Sequence, residues 1–173
     1  MAEVKITKEL LVDHFGRIRE LVSELTEGLS EETSTYRLDP GANTIGWLIW
    51  HQARVQDDHL ADAAGTEQVW PQWRDRFGLP FGPDATGYGQ SSDDVAAVRV
   101  PAELLDGYHA AVHEATLRYL DRLDAAELER VVDTNWNPPV TVSVRLVSVI
   151  GDCLQHLGQA ALIRGVADRA GHP

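Results

Sequence analysis

The sequence predicts an all-α protein, a four-helix bundle with a long loop inserted between its second and third helices. Three observations lead there. Four long stretches repeat apolar residues at intervals of three and four. The one candidate extended piece is interrupted by Pro138 and Pro139, which no central strand tolerates. The segment between the second and third helical patterns is rich in Gly, Pro and Trp and has no regular period. The 173 residues suit a single domain, 1–173, with no linker composition to divide it.

The first helix is expected over about residues 8–29. Leu11, Phe15, Ile18, Val22 and Leu25 line one face, Thr7 is a candidate N-cap and Gly28 stands near the end. A connection with the turn signal Asp39-Pro40-Gly41 follows. The second helix is expected from Asn43 or Thr44 to Ala64, with Gly65 as its C-terminal stop. Residues 65–100 read as a loop packed over the helices, with short helical turns. Trp70, Trp73, Phe77, Phe81 and Tyr88 give it too many aromatics for a disordered segment. The third helix is expected from Val100-Pro101 to Leu123, with Pro at an early position. Residues 124–130 read as a helical turn. The last helix is expected over residues 143–170.

Composition narrows the function. The formal net charge is −12, which argues against nucleic acid, held mainly by Lys and Arg, and against docking on an anionic membrane. The single cysteine, Cys153, forbids an internal disulfide and suits a reducing compartment. The N-terminal stretch is charged and amphipathic, without the apolar core of a secretory signal. No apolar run reads as a membrane span, so the expected location is cytoplasmic.

The informative stretch is IGDCLQHLGQAALIRG, residues 150–165. Asp152 and His156 stand one turn apart, about 40° around the helix, on a stripe shared with Val149 and Ile163. A buried carboxylate or imidazole is costly without a partner. Two side chains at i and i+4 can chelate one ion. His51 lies on an apolar stripe of the second helix, between Leu48 and Val55. Two histidines and one carboxylate would suit an open, catalytic divalent site. An Asp–His pair at this spacing also serves as an ordinary hydrogen-bonded pair, and a lone His as a core residue; spacing alone leaves these open.

Other polar residues are weighed against that set. His109 and His113 share the i, i+4 spacing but fall at the edge of the third helix's apolar face, so they read as boundary or surface residues. His14 and His59 are candidate polar lining, and Asp57 and Asp58 beside Arg54 read as a solvated or salt-bridged stretch. Cys153 reads as a small core residue. The five tryptophans read as core or loop anchors, with Trp47 placed to line a pocket mouth. Glu-x-x-His, His-Glu-x-x-His, Gly-x-Ser-x-Gly and a P-loop are all missing from the sequence.

The segments NTIGWLIWHQARVQDDHLA and WNPPVTVSVRLVSVIGDCLQHLGQAALIRG, with RFGLPFGPDATGYGQSSDDVAAVR between them, resemble the DinB-like superfamily in its mycothiol-dependent branch. The resemblance runs from Leu10 to Gly165. It implies an up-down-down-up four-helix bundle that pairs into a homodimer. It also implies a metal held by His51, Asp152 and His156. Many members carry His, and some Glu, at the position of Asp152. By the same resemblance the chain is expected to be a metal-dependent transferase. A low-molecular-weight thiol of the mycothiol type would be activated on a divalent ion and would attack an electrophile. Zinc is the natural ion; nickel, iron and manganese are chemically allowed. Arg54, Asp57, Asp58 and Gln159 are candidate contacts for a sugar-bearing thiol. Two alternatives stand beside this one: metal-dependent hydrolysis, and a metal-stabilised bundle that only binds.

Overall fold

Four long helices supply most of the chain in the computed structural model, which describes residues 2–171. In chain order, α1 is Ala2–Thr26, the short α2 is Glu31–Ser34 and α3 is Ile45–Ala64. A 3₁₀ turn, Trp70–Gln72, leads to α4, Arg74–Phe77, and α5, Ser92–Ala97. Then come α6, Ala102–Asp121, α7, Ala125–Glu129, a hairpin of β1, Val131–Asp133, with β2, Val140–Thr141, and α8, Val142–Ala170.

Local chemistry sets the ends of α3. The Thr44 side chain accepts the Trp47 N–H, and Gly65 ends the helix at φ +64°. Thr141 caps α8 in the same way, through Val144. α1 begins earlier than its apolar pattern suggests. Thr7 is inside it and bonds back to the Glu3 carbonyl, so it is not the N-cap. Pro138 and Pro139 fall between the two short strands, which pair antiparallel, Val131 with Thr141 and Asp133 with Val140.

Each long helix packs on two others: α3 on α8 and α6, α1 on α6 and α8. Side-chain contacts give their directions. Arg164 of α8 donates to the carbonyls of Glu24, Leu25 and Glu27 at the end of α1, so these helices run the same way. Tyr108 meets Asp57 and Tyr119 meets Ala63, so α6 runs with α3. Lys8 reaches Asp121 while Arg19 reaches Asp106, so α1 opposes α6. One apolar cluster draws on all four, including Phe15, Leu48, Leu105 and Leu157. α8 is long and apolar enough, by length and composition, to cross a membrane, contrary to the sequence-based expectation. Here its inner face is part of that cluster.

Residues 65–100 form the predicted excursion, and Asp57 anchors it. The Asp57 carboxylate accepts the N–H groups of Val69 and Trp70 and the Tyr108 hydroxyl, with Arg54 Nη1 at 3.5 Å. Arg54 has no exposed side-chain surface; it bonds the Ala85 carbonyl and Gln68 and lies over the Trp70 ring. Of the two readings the sequence allows, solvated or salt-bridged, Arg54 and Asp57 take the second, and they do so in the interior. Asp58 is half-exposed and accepts from Gln68. Trp50 and Trp70 are buried in the same layer, whereas Trp136, read as an anchor, is 67% exposed near the hairpin turn.

His109 departs further from expectation. It is completely buried, and neither ring nitrogen has a protein hydrogen-bond partner. α6 packs on both α1 and α3, so its buried arc is wider than one apolar stripe. His113 is partly buried beside it. Burial first, then the nearby Arg19 and His113 charges, push His109 down to about 3, with Asp106 opposing.

Two outcomes are expected. Asp57→Ala leaves two backbone donors and a buried guanidinium uncompensated, so unfolding by urea should show a loss of about 3–5 kcal/mol. The second concerns acid. Between pH 6.5 and about 3 the unfolded chain protonates His109 while the folded chain does not. Stability from this group therefore falls as pH drops through that window, by up to about 1.4 kcal/mol per unit. Urea melts at pH 7 and pH 5 should show a smaller acid loss in His109→Leu than in the natural chain.

Candidate metal centre

The site lies on the seam between α3 and α8. His51 projects from the second turn of α3, and Asp152 and His156 from the middle of α8. Each offers a ligand atom, and these atoms lie within 4.8 Å of one another. The rings of His51 and His156 meet edge to face with centroids 4.7 Å apart. The pair at i, i+4, with Asp152 Oδ2 3.3 Å from His156 Nδ1, thus also faces a third candidate donor on another helix.

Hydrogen bonding selects which nitrogen each histidine leaves free. His51 Nδ1 is 2.5 Å from the Thr86 carbonyl, which can only accept, so the proton sits on Nδ1 and Nε2 keeps its lone pair. His156 Nδ1 likewise donates to the Asp152 main-chain carbonyl, at 2.8 Å. The Asp152 carboxylate Oδ2 is buried, 3.3 Å from His156 Nδ1, and accepts no well-directed hydrogen bond. Two free imidazole nitrogens and one unpartnered carboxylate oxygen are a donor set for a divalent cation.

The electrostatics agree with these roles. Burial pushes His51 below its ordinary value, so it is neutral, as a ligand must be. His156 is raised, chiefly by the Asp152 carboxylate, whose Oδ2 lies 3.3 Å from its Nδ1. Burial alone would raise Asp152, but His156 and the other imidazoles outweigh it and hold the carboxylate ionised.

A strap from the 65–100 segment backs the site. Trp47 stacks on His51 at 4.5 Å, and its indole N–H donates to Gln90. Gly87 sits against both rings: a Cβ there would come within 2.6 Å of His51 Nδ1, and its φ of +100° suits glycine alone. Thr86, Gly87 and Gln90 were not legible as site residues; the Gly-Tyr-Gly run was the available signal.

The remaining candidates separate in space. Gln159 is exposed on α8, one turn beyond His156 on the same side. Arg54 and Asp57 point to the loop anchor, and Asp58 pairs with Gln68. His59 is partly buried, two turns along α3, and feels the charge of Arg145 and Asp152. His14 is exposed and bonds the Leu10 carbonyl. Cys153 is fully buried, and burial pushes its thiol up, so it is no nucleophile.

The sequence matches the mycothiol-S-transferase family over residues 10–169. The chain belongs to this family, which is DinB-like. A crystal structure of a conserved protein from Enterococcus faecalis has the same fold, with a TM-score of 0.83. It is 31% identical, over 90% of this chain and 94% of that one. No curated protein matches this chain.

Gly87→Ala should test the strap. The added methyl has no room beside His51, so the strap must shift and the Nδ1–H···O bond weakens. The expected result is a folded protein whose zinc affinity, read by competition with a chromophoric chelator, falls about 10–100-fold.

Proposed function

We propose that this mycothiol-S-transferase family member is a metal-dependent thiol S-transferase. In this proposal it works as a cytoplasmic up-down-down-up four-helix bundle. The observation that carries the proposal is the convergence of His51, Asp152 and His156, each with a ligand atom free, in a chain of this family. The favoured ion is zinc, with nickel, iron or manganese compatible with the same donors. The co-substrate is a low-molecular-weight thiol of the mycothiol type, and the second substrate is an electrophile.

Bound at these residues, a divalent ion would lower the pKa of a thiol so that thiolate predominates near neutrality. The protein's own side chains do the rest. The Thr86 carbonyl and the Trp47 ring fix the His51 ring and leave Nε2 with its lone pair. Asp152 supplies negative charge and orients His156. Three protein ligands leave a position for the sulfur. Gln159, exposed next to His156, is placed to bond the body of a sugar-bearing thiol. Arg54, Asp57 and Asp58 contribute one shell further out, by holding the loop that carries the strap. In the transfer, sulfur bonds to the electrophilic carbon, the leaving group departs with its electron pair, and the thiol proton passes to water.

Elemental analysis of protein purified without a nickel column should find about one divalent ion per chain, and none in His51→Ala or His156→Ala. Turnover of an electrophile such as monochlorobimane should then require added mycothiol. Turnover without thiol would favour a hydrolase. Metal binding without turnover under either condition would favour a binding role. A folded natural protein that zinc, nickel and manganese all fail to load would remove the basis of the proposal.

A further inference from the structure

A hollow lies on the other side of α3 from the metal centre. Leu60 stands about 180° around the helix from His51 and about 14 Å further along it, and it lines a cavity shared with α6. The cavity measures about 370 Å³, the size of a small-molecule site. Small side chains leave the room: Ala61 and Ala64 come from α3 and Ala115 from α6, with Leu60 and Val112 buried beneath. A buried Gln56–Thr116 hydrogen bond of 2.9 Å ties the two helices at the inner wall. The remaining wall is loop, residues 66–69 with Gln72. Asp57 holds that loop in place through the N–H groups of Val69 and Trp70.

The charges around this cavity set it apart. Acidic residues outnumber Lys and Arg by 27 to 15 in the chain, and Arg17, Arg19, Arg74, Arg99 and Arg130 each have a carboxylate partner. Arg118 and Arg122 stand one turn apart on α6 and both line the cavity, yet neither forms an ion pair among the described residues. Arg122 only lies over the Tyr119 ring, at 5.8 Å. Two carboxylates share the lining. Asp57 is compensated by Arg54, and Glu67 has no cation beside it. Two free guanidinium groups against one free carboxylate leave the cavity positive, within a chain of net charge −12.

We infer that this cavity binds a small organic acid with one negative charge and an apolar body. Each part of that description follows from the lining. Guanidinium groups offer a carboxylate paired N–H donors and stay charged at any physiological pH. The alanines, Leu60 and Val112 give the rest of the ligand an apolar bed, which suits hydrocarbon better than sugar. A second negative charge would meet Glu67, so a phosphate ester or a dicarboxylic acid fits less well. The site is separate from the metal centre and does not depend on it.

Calorimetric titration of the full chain with naphthoate tests this. One equivalent should bind per chain, with a dissociation constant of about 0.1–1 mM. Neutral naphthamide and doubly charged naphthalene dicarboxylate should each bind at least about tenfold more weakly. Arg118→Gln and Arg122→Gln should each weaken naphthoate binding about 5–10-fold. Ala115→Leu, which fills the cavity, should weaken it at least about tenfold. Helical circular dichroism should be unchanged in all three. Both arginines are exposed, so their substitutions decide the matter even if Ala115→Leu unfolds the protein. Added zinc should leave the affinity as it is. Naphthoate that fails to bind below about 10 mM overturns the inference, as does naphthamide that binds equally well. Binding that appears only with zinc overturns it and places the acid at the metal centre. Binding that the substitutions leave intact overturns it too, and points to another surface such as the exposed side of α8, where Val147 is 66% and Leu162 59% exposed.

Discussion

The candidate centre depends on the register between α3 and α8. One donor comes from α3 and two from α8. A slip of one residue moves a side chain about 1.5 Å along the axis and about 100° around it, enough to separate the set. Core packing fixes that register. Leu48, Ile49 and Ala53 of α3 are buried with Val149, Cys153 and Leu157 of α8 in one cluster. Cys153 lies against Gln52 and Gln56, directly beneath the site. The residue between the two α8 donors and the α3 donor thus contributes packing and no chemistry.

The second constraint is the 65–100 segment, held at both ends by α3. Near its start Asp57 takes the Val69 and Trp70 N–H groups. Further on, Arg54, His51 and Trp47 take Ala85, Thr86 and Gln90 in turn. The successive α3 residues run backward as the loop runs forward, so the loop returns along the helix toward its N-terminus. A long irregular segment satisfies its buried backbone groups in this way, and it brings the Thr86 carbonyl to the nitrogen of His51 opposite the ligand position. The polar residues of α3 therefore divide their work by height: one side of the helix presents a donor, the other anchors the strap that orients it.

Much of the architecture was legible. The period of Leu11, Phe15, Ile18, Val22 and Leu25 identified α1, and all five are buried. Thr44 and Gly65 bounded α3 because capping chemistry is local. Misreadings arose where a residue's neighbours come from another element. Thr7 looked like a cap, but helix continues upstream of it. His109 looked marginal on its own helix and is fully enclosed once α1 packs there. Asp57 and Arg54 read as solvated or salt-bridged, and their burial was not legible because charge is visible in a sequence and the loop that covers them is not.

By itself the sequence determined the all-α character, the limits of α3 and the i, i+4 pairing of Asp152 with His156, because hydrogen-bonded helix geometry and capping act over a few residues. It also made His51 a candidate, through its position on an apolar stripe. Tertiary structure alone decided that His51 faces that pair and which nitrogen each imidazole leaves free. It also decided that Oδ2 of Asp152 lacks a hydrogen-bond partner, and that one side of α8 remains bare. Those outcomes depend on contacts between residues about a hundred positions apart, whose relative placement is set by how whole helices pack and not by any local preference.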